Sequence, residues 1–376
     1  MAQLHVEVCD VTLRDGEQTP GVSFRREEKA DIARMIDSIG VEVIEAGFPV
    51  VSKYEHECVR AITREGLSAR ICCLARARRA DVEAAIDCDV DMASIFIATS
   101  DLHIRHKYKK PRDQVLADAL EQVEFAHDHG LEVRFAAEDA SRTDREFLKE
   151  VYRQGAEHGA TLLSFADTVG YLTPMEMYGV MRDLVNTAKK PLCAHCHNDM
   201  GLATANTLMA AEAGAFQLHT TVNGIGERAG NAALEEVLVA LKLKYGIDRY
   251  DLTPLSSLSQ TVEQYSGMLV ARNKAVVGEH AFAHESGIHI AAILEDPLTY
   301  EFIPPDLVGG ERRFILGKHT GKKALEHVIS TFGHHLSENQ ICWVLDQVKI
   351  RGERKCSITP EILRKLIGDA EEMQIP

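Results

Sequence analysis

The stretch GATLLSFADTVGYLTPME, Gly159 to Glu176, decides the fold. Its glycine ends an amphipathic segment at the C′ position, where a left-handed backbone is needed. An apolar run, TLLSFA (161–166), reads as a buried strand, and Asp167 and Thr168 close it. Thr173-Pro174-Met175-Glu176 then reads as a capping box with proline in the first helical turn. Helix stop, strand, polar end and helix start together make one β/α unit.

The same order recurs along the chain. Further β-like runs are VEVCDVT (6–12), VEVIEAG (41–47), RICCLA (70–75), DMASIFIA (91–98), LEVRFA (131–136), PLCAHC (191–196) and FQLHTTV (216–222). In ADIARMIDSIG, Ile32, Met35, Ile36 and Ile39 mark one helical face. Gly40, Gly130 and Gly214 precede strands as Gly159 does, and Thr143 to Glu146 reads as a second capping box. Eight β-runs, each followed by a helical pattern, predict an α/β chain forming a (β/α)8 TIM barrel. An open doubly wound sheet is the alternative, but no Gly-rich fingerprint follows the first strand. After about Tyr245 the rhythm changes. Residues 251–275 look helical, 276–330 irregular and rich in His and Gly, and 337–370 helical again. The expected organisation is a barrel over 1–275 and a smaller, mainly helical C-terminal region over 276–376.

A chain of 376 residues has room for a barrel and an appendage. Its formal charge of −15, with no basic run expected to offset it, argues against nucleic-acid and anionic-membrane partners. No apolar run reaches the length of a membrane span, and MAQLHVEVCD lacks the pattern of a signal peptide. Nine cysteines, an odd count with Cys72 and Cys73 adjacent, read as reduced thiols of a cytoplasmic protein.

Barrel chemistry sits at the carboxyl ends of the strands. Polar residues gather at those ends here: Arg14, Asp15, Glu17 and Gln18 after the first run, Glu45 on the second, Glu138 and Asp139 after the fifth, and Asp167 and Thr168 after the sixth. Arg14–Asp15 alone could be a salt bridge and Glu138–Asp139 a helix cap. Convergent charge at one rim is not something barrel stability requires. PLCAHCHNDMG (191–201) fits three motifs at once. Cys193-Ala-His-Cys196-His197 spells a c-type haem attachment site, but nothing suggests export. Cys193 and Cys196 spell a redox pair, but on a strand rather than at a helix start. His195 and His197 share one face of that strand. Two metal ligands and two plain strand-end histidines both satisfy this stretch. With Asp15 they would make a two-His, one-carboxylate face with open positions, suited to a divalent ion such as Mg, Mn, Zn or Co. A 2-oxo acid could chelate such an ion, with Arg14 neutralising an oxyanion. VNGIGERAGN (222–231) opens a helix after the eighth run, where barrels often bind anions. His284, His289 and Tyr300 stand out in the second region, where a His-rich run by itself reads as surface or structural.

The motifs LRDGEQTPGVSFRREEK (13–29), HCHNDMGLATANT (195–207), NGIGERAGNAALEE (223–236) and LGKHTG (316–321) resemble those of the 2-isopropylmalate synthase and homocitrate synthase family. The likeness covers roughly residues 4–330 and includes Lys29, which follows Gln18 after ten intervening residues. It implies a barrel that condenses acetyl-CoA with a 2-oxo acid and then hydrolyses the thioester. By resemblance the metal would sit on Asp15, His195 and His197, with Asn231 near or in its shell. Arg14 would polarise the oxo group, Gln18 and Thr168 would hold the substrate, and Glu138 would assist at the acetyl-CoA side. Asn223, Gly224, Gly226, Glu227 and Arg228 would form the acetyl-CoA region. In this family the region after the barrel swaps across a homodimer, with His284 and Tyr300 entering the neighbour's site as acid/base groups. Length leaves no room for the regulatory domain of leucine-controlled isopropylmalate synthases.

Arg134, on the fifth run, should point into the barrel mouth and pair a distal carboxylate bidentately. It matches the position at which homocitrate synthases bind the far carboxylate of 2-oxoglutarate. Two departures are Ala136, where those enzymes carry Ser, and Leu74, where they carry His. EAGFPVVS and FIATSDLH resemble stretches of the short archaeal homocitrate synthases, which lengthen 2-oxo diacids. The expected activity is therefore homocitrate synthase on 2-oxoglutarate, with 2-isopropylmalate or citramalate synthase as alternatives and an acyl-CoA lyase or aldolase as the more distant one.

Overall fold

A computed structural model describes residues 4–373. Eight parallel strands close into one barrel in chain order: β1 Glu7–Asp10, β2 Val43–Glu45, β3 Arg70–Arg76, β4 Met92–Ala98, β5 Glu132–Glu138, β6 Leu162–Asp167, β7 Leu192–Cys196 and β8 Gln217–Thr220. β8 closes on β1, with Glu7 opposite Gln217 and Asp10 opposite Thr220. The expected TIM barrel is what the chain forms. Each strand is short and almost wholly buried, because helices cover its outer side and neighbouring side chains fill its inner side.

The helix signals act as read, with one exception. Gly40, Gly130, Gly159 and Gly214 all have positive φ, between 86° and 106°. The carboxylate of Glu176 accepts both the backbone N–H (2.9 Å) and the hydroxyl (2.7 Å) of Thr173. Thr143 does not cap the helix Arg145–Glu157: Asp144 does, accepting from Phe147 N at 3.0 Å. Thr143 instead turns inward to bond Thr99 Oγ1 (2.7 Å) and the Asp139 carbonyl.

Register sets which residues share a layer. Ser94 lies opposite Arg134, Ala136 opposite Ser164, Ser164 opposite Cys193, and Ala166 opposite His195. Inward residues on one strand step two at a time, about 7 Å per step. Arg134, Ala136 and Glu138 therefore form a ladder from the floor of the barrel to its rim. At the base of the barrel, Cys9, Val11, Val43, Cys72, Met92, Leu162 and Cys193 make a closed apolar cluster.

The chain divides between Val270 and Ala271 into two units. The second carries the helices Gly287–Glu295, Lys322–Thr331, Glu338–Glu353 and Pro360–Glu372, and a short parallel pair, Ala283–His284 with Arg313–Phe314. Its core includes Leu325, Ile329, Ile341, Val344, Val348, Leu363, Leu366 and Ile367. No helix among the described residues is long and apolar enough to cross a membrane.

Candidate active site

A cavity of about 320 Å³ lies within the barrel, lined from β1 through the loop after β8. Arg14, Asp15, Gln18, Arg134, Glu138, Thr168, His195, His197, Glu227 and Arg228 all line it, so ten of the expected residues meet in one space.

Local backbone chemistry places the first group. After β1 the N–H groups of Arg14, Asp15 and Gly16 all donate to the Val11 carbonyl, at 3.2, 2.8 and 3.1 Å. This tight turn aims Asp15 back over the barrel. Lys29, with no exposed side-chain surface, reaches in from its helix and donates to the Leu13 carbonyl (3.2 Å) while pairing with Glu17 (2.6 Å) and Glu55 (2.7 Å). The turn that carries Arg14 and Asp15 is thus held from both sides.

Asp15 and the two histidines form one cluster. His195 Nε2 and His197 Nε2 are 3.1 Å apart, and Asp15 Oδ2 lies 3.4 Å from the first and 3.9 Å from the second. One ligand atom from each of the three falls within 4.8 Å of the others. Burial opposes ionisation of Asp15, but Arg14, whose Nη1 donates to it at 2.5 Å, and His195 hold the carboxyl well below its usual range. Burial, and then His195, push His197 down to about 3, so its imidazole stays neutral. An ionised carboxylate beside neutral imidazole nitrogen is the protonation state a divalent cation needs. Asn231 donates through Nδ2 to Asp15 (3.0 Å) and to the Ile225 carbonyl (3.1 Å), while its buried Oδ1 has no partner. That orphaned oxygen beside the triad fits a fourth donor. The three-ligand donor set therefore suits a divalent metal ion.

The haem and redox readings of the CAHCH stretch fail on the same geometry. Burial pushes the thiols of Cys193 and Cys196 up to about 12, so neither is a thiolate. Cys193 belongs to the apolar cluster at the base of the barrel.

Glycines after β8 make room for this arrangement. Gly226 sits at φ +150°, and a Cβ there would meet Asn231 Nδ2 at 2.2 Å and Asp15 Oδ1 at 3.0 Å. A Cβ on Gly230 would strike the Gly224 carbonyl oxygen at 1.9 Å. Of the region expected for acetyl-CoA, only Glu227 and Arg228 reach the cavity. Asn223 turns to Ser259, bonding its carbonyl (2.9 Å) and hydroxyl (2.5 Å), and Gly224 N donates to the Thr221 carbonyl. These two residues, with Gly226, hold the loop's shape. Arg228 grips both oxygens of Asp199 (2.7 and 2.9 Å) and the Thr168 carbonyl (2.7 Å), tying the loops after β6, β7 and β8 together.

Arg134 departs from expectation. It lines the cavity but is fully buried, and its head has no free fork. Nε donates to Ser94 Oγ (3.1 Å), Nη1 to Gln217 Oε1 (3.0 Å) and His219 Nε2 (3.1 Å), and Nη2 pairs with Glu45. The other Glu45 oxygen takes Arg14 Nε. One buried carboxylate therefore joins the arginine beside the triad to the arginine of the floor. His219, which the motif reading did not single out, completes the link: its ring centroid is 5.5 Å from that of His195. Burial, then Arg134, hold its pKa well below the ordinary value, so it accepts from the arginine. Alternation along FQLHTTV could have marked it, since Gln217 and His219 share the inward face.

At the rim, Glu138 pairs with Lys107 at 2.6 Å. In the second unit, His284 Nε2 lies 3.3 Å from Glu301, which Arg312 clamps through two contacts of 2.6 Å. Tyr300 is exposed and stacks on His289 with centroids 4.0 Å apart.

The charge reading also overlooked a basic run. Arg105 to Arg112 holds five Lys and Arg and no carboxylate.

Comparison with known proteins identifies the family. A family model described as HMGL-like matches residues 5–262, and one described as homocitrate synthase post-HMGL domain-like matches residues 276–356. The homocitrate synthase AksA of Methanosarcina acetivorans is 54% identical over 375 residues, covering 99% of this chain and 93% of that protein. A probable 2-isopropylmalate synthase of Methanopyrus kandleri is 49% identical, covering 98% of this chain and 75% of that protein. The crystal structure of the Bacillus subtilis HMG-CoA lyase aligns with a TM-score of 0.66 at 22% identity, over 73% of this chain and 98% of that one, a likeness of fold.

Proposed function

The chain belongs to the 2-isopropylmalate synthase and homocitrate synthase family, and from that premise we propose that it is a homocitrate synthase, condensing acetyl-CoA with 2-oxoglutarate or a longer 2-oxo diacid. The acetyl methyl group loses a proton, its carbon attacks the oxo carbon, and water then cleaves the thioester to release CoA.

The observation that carries the choice of a diacid is the polar floor of the cavity. Arg134, Ser94, Ser164 and His219 line it beneath the triad. A branched apolar side chain placed there would offer no acceptor to the hydroxyl protons of Ser94 and Ser164, a cost of about 1–3 kcal/mol for each unsatisfied one. Because Arg134 spends its donors on protein atoms, a distal carboxylate would feel its charge while bonding chiefly to Ser94, Ser164 and His219. Among the inner charged side chains, Arg14 and Arg134 balance Asp15 and Glu45. A divalent ion held by Asp15, His195 and His197 supplies Lewis-acid polarisation of a carbonyl and two positive charges, which a dicarboxylate balances and a monocarboxylate balances by half.

The other residues take roles from their positions. Arg14 stabilises negative charge developing on the oxo oxygen. Thr168 and Gln18 hold the substrate carboxylate and shape the entrance, and Glu138 serves the thioester side. His284, oriented by Glu301, and Tyr300 act as acid/base groups on the barrel of a second copy in a swapped homodimer. Nine unpaired cysteines accord with a cytoplasmic enzyme. Leu74, Phe48, Phe96, Ala136 and Ala166 form an apolar collar around the same cavity, and that collar favours the second reading, 2-isopropylmalate or citramalate synthase.

The test is release of CoA thiol from acetyl-CoA with a divalent metal and a panel of 2-oxoglutarate, 2-oxoadipate, 2-oxoisovalerate, pyruvate and oxaloacetate. Fastest turnover with a diacid supports the reading. Fastest turnover with 2-oxoisovalerate or pyruvate keeps the condensation and gives Arg134 a structural role. No release with any of them returns the site to the lyase class.

A further inference from the structure

The loop after β4 concentrates positive charge on an acidic protein. Arg105, Lys107, Lys109, Lys110 and Arg112 fall within eight residues, in a chain with 57 acidic and 42 basic side chains. The segment is built rather than loose. Ser100 Oγ caps its first turn by accepting from His103 N, Ile104 is buried beneath it, and the Tyr108 hydroxyl accepts from Ala98 N at 3.2 Å. Residues Ile104–Tyr108 make a single π-helical turn, a feature that recurs at functional sites. Lys109 then takes a left-handed conformation at φ 54°.

Three of the five charges are already matched. Lys107 pairs with Glu138, Lys110 with Asp118 at 2.7 Å and Arg112 with Asp101 at 2.6 Å. Arg105 and Lys109 are exposed, no carboxylate among the described residues pairs with either, and both line a shallow, open surface depression whose one carboxylate, Asp101, is held by Arg112. Lys107, between them in sequence, lines the reaction cavity. Two uncompensated cations thus flank, two residues away on either side, a lysine that lines a site whose proposed thioester substrate ends in a pyrophosphate and a 3′-phosphate. Clefts carrying charge opposite to the substrate gather it and orient it.

Resting on the proposed reaction, we propose that Arg105 and Lys109 form the subsite for the phosphate groups of acetyl-CoA. The experiment compares acetyl-CoA with acetyl-pantetheine, which keeps the thioester and lacks the nucleotide. The variant is Arg105→Gln with Lys109→Asn, since asparagine tolerates the left-handed backbone. At low salt the variant is expected to raise KM for acetyl-CoA about tenfold, an effect that added salt shrinks. Its kcat, its KM for the 2-oxo acid and its kinetics with acetyl-pantetheine stay as in the wild type. An equal loss with both thioesters, or no loss with either, overturns the subsite. If the wild-type protein turns over neither thioester, the reaction fails rather than the subsite. Calorimetric binding of CoA against pantetheine to the wild type and the variant then decides the subsite: weaker CoA binding in the variant upholds it, and equal binding overturns it.

Discussion

Glu45 and Arg134 form an ion pair in which neither side chain has any exposed surface. Such a pair contributes little net stability when intact, because desolvation offsets attraction, but losing one partner strands a charge. Glu45 also holds Arg14 beside the triad. Glu45→Gln is therefore expected to cost roughly 3–5 kcal/mol, read as a lower denaturation midpoint. Turnover should fall as well, because Arg14 loses its anchor. Unchanged stability would mean that the pair is not buried as described.

Gly226 tests the metal site without touching a ligand. An alanine there would push Asn231 and crowd Asp15. We expect Gly226→Ala to keep the circular dichroism of the barrel and to lose 10–100-fold in divalent-metal affinity by equilibrium dialysis, the range for disturbed supporting groups. Wild-type affinity in this variant would remove Asn231 and the loop from the site.

Asp10 gives a pH signature. Burial, and then Glu235, raise its carboxyl from 3.8 to about 7, although Thr12 N donates to it at 2.9 Å. The folded protein therefore favours the neutral acid. Its contribution is fully present below about pH 4 and is lost as the pH rises to 7, a swing of roughly 4 kcal/mol for a shift of about three units. Asp10→Asn should flatten this decline in stability between pH 4 and 7 in denaturant titrations. A variant that reproduces the wild-type slope would refute the assignment.

Subunit mixing tests the swapped assembly. Asp15→Asn and Asp-intact His284→Ala chains are each expected to be nearly inactive. If His284 serves the neighbouring barrel, exchange of the two should restore about a quarter of wild-type activity, because half the dimers are mixed and each holds one intact site. No recovery after verified exchange would place His284 in its own barrel's site or outside catalysis.

Much of the molecule was legible before any coordinates. The β/α rhythm carried the barrel because every unit repeats the same local signals, and Asp15, His195 and His197 stood at strand ends where a barrel gathers its chemistry. Arg134 was found but misread, because the pattern says which way a side chain points and not what meets it across the barrel. Glu45 arrives from 89 residues away, and only closure of the sheet brings the two together. His219 was hidden inside an apolar run for the same reason. Thr143 lost its capping role to Asp144, since both satisfy the local rule and packing against Thr99 chose between them. The run from Arg105 to Arg112 was masked by a net charge summed over the whole chain.

The central claim is that the cavity floor reads a dicarboxylate. The most direct measurement is kcat/KM for 2-oxoglutarate against 2-oxoisovalerate, in the wild type and in Arg134→Met side by side. The account predicts at least about a tenfold preference for the diacid in the wild type, collapsing in the variant through loss of diacid turnover. A wild-type preference for 2-oxoisovalerate, or a diacid preference that survives Arg134→Met, would contradict it.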